Sequence, residues 1–233
     1  MSSFFDLLPD EIIMLIIKKA MGNHQQYRKH CYLVNVISNI SERFKLLARD
    51  RSLWKGEICI QGNKRTINTI IHYFLRDSVK GVNILSQISP GVPWTSTSIS
   101  GSELSKLAES CPKMETLYLY HMTVNAWPLA TGHPPCLSLK KLIIDGCVMD
   151  HDLFKNVIMH QSMPNLEEFI WIAQNKGSKN PLLLPDMSGC HKLKKLILDY
   201  GIFTAPSNPF NPQPQNAIKN YNFKAGAIYD CRH

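Results

Sequence analysis

The chain has 233 residues, 44% hydrophobic and 19% charged, enough apolar material for one domain or two small ones and too much for a wholly disordered chain. Its formal charge is +8, and residues 1–80 hold 13 Lys and Arg against 7 Asp and Glu, so most of the excess lies in the first third. The basic residues are dispersed and no nucleic-acid-binding motif accompanies them, so they read as a solvated face rather than a nucleic-acid site.

The first element is read from LPDEIIMLII, residues 8–17. Pro9 suits a first helical position, and Asp10 and Glu11 fall in the positive first turn. Ile12, Ile13, Leu15, Ile16 and Ile17 crowd the turns that follow. That is more apolar surface than one helix buries in a small domain, so part of it is expected to meet a partner. A polar run over residues 22–30 reads as a loop. In ISERFKLLARDRSLW, residues 40–54, Ile40, Phe44, Leu47 and Ala48 fall three and four apart, one apolar face of a helix. Leu53 and Trp54 follow as a large apolar pair off that face. Ile58 and Ile60 then alternate like a short strand. Residues 66–76 read as a helix with Ile67, Ile70, Ile71 and Phe74 on one side, followed by a strand-like segment with Val79, Val82, Ile84 and Leu85.

Beyond residue 100 the chain repeats. Met114-x-x-Leu117-x-Leu119, Leu139-x-x-Leu142-x-Ile144, Leu166-x-x-Phe169-x-Trp171 and Leu193-x-x-Leu196-x-Leu198 start 25, 27 and 27 residues apart. These periods lie in the 20–29 residue range of leucine-rich repeats. Cys111, Cys136 and Cys190 each stand three residues before the first apolar position, with Met163 in that place in the third unit. Residues 102–110 and 152–160 read as short amphipathic helices between strands, the first opened by a capping box of Ser100 and Glu103. Val79-x-x-Val82-x-Ile84 fits as a divergent earlier unit. A single unit leaves its apolar face uncovered, so the units must stack. Strand side chains alternate, which puts Leu117, Leu119, Leu142, Ile144, Leu196 and Leu198 inside. Tyr118 and Tyr120, Ile143 and Asp145, Ile170 and Ile172, and Ile197 and Asp199 then fall on the other face.

Residues 8–54 resemble an F-box, the helical module that docks a substrate receptor onto the Skp-type adaptor of a cullin ubiquitin ligase. The resemblance rests on Leu8-Pro9-Asp10-Glu11, then Ile40-Ser41, Arg43-Phe44, Leu47-Ala48, Asp50 and Leu53-Trp54. The gap between Pro9 and Ile40 is longer than is usual for that family, and the excess is assigned to residues 22–30. The later units are similar to the cysteine-containing leucine-rich repeats of F-box receptors, which build a curved solenoid with a parallel sheet on its inner face. The resemblance implies an α+β architecture: a helical F-box over residues 1–60, a linker helix and an α/β leucine-rich-repeat solenoid over 61–204, and a disordered Pro-, Asn- and Gln-rich tail over 205–233. It implies adaptor contacts through Leu8, Pro9, Ile12, Leu15, Leu53 and Trp54, with a cullin reached through the adaptor. It also implies a target protein held on the concave face by Tyr118, Tyr120, Ile143, Ile170 and Ile197. A repeat scaffold with no role in ubiquitination is the alternative.

No chemistry competes with that reading. The sequence has no glycine-rich phosphate loop, no H-E-x-x-H, no C-x-x-C and no G-x-S-x-G, so neither catalytic residues, a metal site nor a cofactor is expected. The repeat phase makes Cys111, Cys136 and Cys190 small buried residues at one structural position. No apolar run approaches the ~20 residues of a membrane span, and residues 12–17 follow acids rather than a basic segment, a poor signal peptide. With an odd seven cysteines, the expectation is a reduced protein of the cytoplasm or nucleus.

Overall fold

A computed structural model describes residues 4–22, 29–86, 97–126, 136–149, 159–173, 182–183, 187, 189–199 and 203–204. Helices come first. The carbonyl of Pro9 accepts from the amides of Ile12 and Ile13, opening α1 (Asp10–Gly22). Ile13, Ile17 and Met21, four apart, form its buried stripe. Then α2 (Lys29–Asn35) buries His30, Cys31, Leu33 and Val34. The helix expected from Ile40 onward is short: α3 spans Glu42–Leu47. Ser41 is extended and accepts from the Phe44 amide as an N-cap, so Ile40 lies outside the helix and is exposed. Phe44 and Ala48 are buried as the periodicity predicts. Asp50 then caps a 3-10 turn, Arg51–Leu53, by accepting from the Ser52 amide. That turn swings Leu53 and Trp54 inward.

The rest is built around one curled, all-parallel sheet. Its strands are β1 (Gly56–Gly62), β2 (Val79–Ser86), β4 (Thr116–Tyr120), β6 (Lys141–Met149), β7 (Glu168–Ala173) and β9 (Lys195–Asp199), side by side in that order. Register fixes which residues share a row. Ile58, Val82, Leu117, Leu142, Phe169 and Leu196 line up, and Ile60, Ile84, Leu119, Ile144, Trp171 and Leu198 form the parallel row two residues on. Both rows are buried through β7 and partly buried at β9. The Val79 unit is therefore a true member of the repeat series. Each unit also repeats one backbone contact: the amides of Met114, Leu139, Leu166 and Leu193 donate to the carbonyls of Cys111, Cys136, Met163 and Cys190. Met163 thus occupies the cysteine position in structure as in sequence.

On the helical side, Asn63 caps α4 (Lys64–Tyr73), which starts and ends slightly earlier than predicted and buries Ile67, Ile70, Ile71 and, just past its end, Phe74. The capping box of Ser100 and Glu103 opens α5 (Gly101–Ser110) as expected. Of the helix predicted over 152–160, only the end is described, within α6 (Met159–Ser162); Leu153, Val157 and Ile158 lie outside the described residues, as does the tail 205–233. A second set of short parallel strands branches off the sheet. β3 (Ser98–Ile99) pairs β5 (Thr123–Val124), and β5 pairs Val148–Met149 at the end of β6. β8 (Leu182–Leu183) pairs β10 (Phe203–Thr204) separately.

The expected boundary at residue 60 cuts through β1. Helix α2 packs on β1 and α4, and helices and sheet share one hydrophobic cluster.

Candidate functional site

Two surfaces follow from this arrangement. The first is on the helices. Ile12, Leu15 and Ile16 stand three and four apart on the side of α1 away from Ile13 and Ile17, and all are exposed, Leu15 at 61%. Leu7, just before the helix, is 78% exposed. Pro9 is exposed and Leu8 packs partly against the core. The start of α1 is held by Arg43 of α3. Its guanidinium donates to the carbonyls of Phe5 (3.0 Å) and Leu8 (2.6 Å) and pairs with the Asp10 carboxylate. Phe5 also sits edge-on to Phe44, ring centroids 5.4 Å apart. Arg43 thus positions the Leu8-Pro9 corner, a role no periodicity reveals because its partners lie more than 30 residues away.

Four of the six predicted adaptor residues, Leu8, Pro9, Ile12 and Leu15, belong to this region. Leu53 and Trp54 do not. Leu53 is 6% exposed and Trp54 is 0% exposed. The Trp54 indole Nε1 donates to the Ala48 carbonyl (2.7 Å), and its ring lies 5.1 Å from both His30 and Phe74. Reading this pair as large surface anchors is corrected on that ground: they pack the helices onto α4 and β1. Leu7 and Ile16, left out of the predicted set, take their place on the surface.

The second surface is the open face of the sheet. Register sets Tyr118 beside Ile143, Ile143 beside Ile170, and Ile170 beside Ile197. All four are half-buried, so the predicted apolar row exists and is continuous. Tyr120 stands one row over, beside Asp145. The Tyr118 hydroxyl donates to Asp145 Oδ2 (3.1 Å), and the two tyrosine rings lie 5.8 Å apart. Burial and the Asp145 carboxylate push both phenols above their ordinary range, so both are neutral. At the end of this row the backbone turns a corner. His121 (φ 50°) and Gly146 (φ 59°), side by side, both take left-handed conformations, and a Cβ on Gly146 would run into the His121 ring. The His121 ring lies against Tyr120, centroids 3.9 Å apart and planes tilted 57°.

The other edge of the open face is ionic. Lys141 pairs with Glu168 (3.0 Å), Lys140 with Glu115 (3.0 Å) and Lys194 with Glu167 (2.7 Å), each bond joining neighbouring units. The lysines hold Glu115 and Glu167 below the usual carboxylate range through a hydrogen bond first and charge second.

Reactive groups are few. Burial pushes the thiols of Cys111, Cys136 and Cys147 up to about 12, 11 and 12, the opposite of an activated nucleophile. Cys111 and Cys136 line a small apolar pocket with Pro112, Leu137 and Ser138. Among the described residues no three His, Cys, Asp or Glu side chains are grouped to hold a metal ion, and no helix is long and apolar enough to cross a membrane. A scan of the chain against protein-family models and a search of curated proteins both found no match.

Proposed function

We propose that the protein is the target-recognition subunit of a Skp–cullin–F-box ubiquitin ligase, with an F-box at its start and leucine-rich repeats after it. The observation that carries this reading is the two-sided α1. One stripe is core, and the other, Ile12, Leu15 and Ile16 with Leu7 beside it, is apolar and exposed. A separate apolar row on the sheet offers a second partner its own surface. The adaptor takes the helical stripe, a cullin follows through the adaptor, and the target takes the open face. The chain itself performs no chemistry. It raises the effective concentration of target lysines near the ubiquitin-charged enzyme.

Co-purification of the full chain with a Skp-type adaptor tests this. The wild type retains the adaptor, and Leu15→Glu/Ile16→Glu loses it with an unchanged melting temperature, since both residues are exposed. A wild type that retains no adaptor overturns the ligase reading. What remains then is a scaffold that joins two partners, a reading favoured by the burial of Leu53 and Trp54, which removes two large side chains from the docking surface.

A further inference from the structure

We infer that the amino-terminal edge of the main sheet is a docking strip for an acidic segment of a partner protein. One bulky apolar side chain of that segment enters the notch between the turns leading into β4 and β6, and its carboxylates meet the lysines of the same edge. The strip uses neither the exposed stripe of α1 nor the apolar row from Tyr118 to Ile197, so the inference stands apart from the ligase reading.

Charge is the first argument. The basic residues are scattered in the sequence, and the stacking of strands gathers many of them where the chain turns into each strand. Residues 51–57, 76–80, 111–116, 137–141, 164–168 and 190–195 lead into the six strands of the main sheet. They hold ten Lys and Arg against five Asp and Glu, so five of the eight excess positive charges lie along one edge. Glu57 and Asp77 stand among Arg51, Lys55, Arg76 and Lys80 in the first two of these segments. In the other four every acid is already matched, Glu115 by Lys140, Glu167 by Lys194 and Glu168 by Lys141. Lys113, Lys192 and Lys195 are exposed and, among the described residues, join no ion pair; Lys192 donates to Asn165 Oδ1 (2.5 Å). The surplus complements an acidic chain. A second copy of this protein, itself +8, is repelled, so the occupant is another protein.

Shape is the second. The notch is a cavity of about 190 Å³ walled mainly by Ala108, Cys111, Pro112, Met114, Cys136 and Leu137. Its two polar residues are occupied. The Ser138 hydroxyl donates to the carbonyls of Pro112 (2.6 Å) and Met114 (3.0 Å), stapling the two turns together, and Glu109 pairs with Lys106 (3.3 Å). A cavity of about 150 Å³ takes benzene, so this one admits the side chain of one Leu or Phe. Leu137 on its wall is 60% exposed, whereas Leu139 is buried, so apolar surface continues from the notch toward solvent. Lys113 directly follows Pro112, and Lys140 lies two residues beyond Ser138, so each of the two turns carries a cation. No aromatic ring lines the notch for a base to stack on, which favours a peptide over nucleic acid. From β4 to β9 the strip crosses three inter-strand gaps, about 14 Å in all, within the reach of a short extended segment.

The test is fluorescence anisotropy of the full chain with four labelled nine-residue peptides and a labelled single-stranded oligonucleotide of the same length. The parent peptide has a central Phe, with Asp and Glu alternating with Gly and Ser on either side. In the other three the Phe becomes Ser, the acids become their amides, or the acids become Lys. The parent binds about ten-fold tighter than the Ser or the amide peptide, the ratio of one buried apolar side chain or one charge-assisted contact. The Lys peptide is weakest. Leu137→Asp, at an exposed site and with an unchanged melting temperature, weakens the parent about ten-fold. Lys113→Glu/Lys195→Glu weakens the parent and leaves the amide peptide as it was. Equal binding of the parent and the amide peptide overturns the inference, as does equal binding of the parent and the Ser peptide, no binding by any peptide, or parent binding unchanged in either variant. An oligonucleotide that binds tighter than the parent overturns it too and puts nucleic acid on the strip. Adaptor co-purification is blind to all of these outcomes, so failure here leaves the ligase reading standing and failure there leaves this one.

Discussion

Trp54 and His30 lie in contact in the core, their rings tilted 41° to each other, and each makes a measurable demand on the fold. Trp54 is fully enclosed, donates one hydrogen bond and touches two rings. Its replacement by Ala is predicted to cost about 3–5 kcal/mol, the usual loss for a large buried aromatic, readable from the urea midpoint. A loss near zero contradicts its core position. His30 is almost fully buried, and burial, with Lys29 second, brings its pKa down from 6.5 to about 4. The folded state therefore holds the ring neutral, while the unfolded chain takes up a proton as pH falls below 6.5. Stability is complete above the unfolded value and is lost as pH drops toward the folded one, by about 3 kcal/mol over the window. Unfolding midpoints collected from neutral pH downward show this slope, and His30→Gln flattens its upper part. Glu115 and Glu167, with unfolded values of 4.5, begin to contribute only near the bottom of that window. The resemblance alone puts Trp54 among the adaptor contacts, because an aromatic next to Leu53 and beyond a capped turn belongs to no periodic face that would have turned it inward.

At the scale of elements, what the sequence made legible was set by repetition. The rows Leu117–Leu142–Phe169–Leu196 and Tyr118–Ile143–Ile170–Ile197 follow from a spacing of 25 to 27 residues and the two-residue alternation of strands. The cap of α5 was equally plain, since Ser100 and Glu103 stand at the spacing the box requires. Ser100→Ala is predicted to lower stability by about 1 kcal/mol, checked by chemical denaturation, since its hydroxyl accepts from the Glu103 amide. The helices nearer the start were less legible. Apolar residues surround α1 on every side, so which stripe faces inward is decided by what packs against it. The six-residue α3 ends where Asp50 opens a new turn, a local polar contact that outweighs the continuing hydrophobic period.

At the scale of the whole molecule, helices and sheet share one hydrophobic core. Ile58 and Ile60 are enclosed, and their strand pairs along its length with β2. A fragment of residues 1–60 loses that neighbour together with α4, which lies against Trp54 through Phe74. It is predicted to show no cooperative thermal transition by circular dichroism, whereas the full chain does. A sharp transition in the fragment identifies the helical segment as an independent folding unit.

The order of strands carries a consequence for how the protein is made. Across the sheet, β1, β2, β4, β6, β7 and β9 lie in the order in which a ribosome emits them. Within this row each strand after β1 therefore meets a template already in place, whereas the short strands β3 and β8 wait for β5 and β10. The nascent chain grows by accretion from the helical end, with one bare edge at a time advancing toward the carboxyl terminus. A pause in translation leaves a shorter sheet of the same register rather than a mispaired one.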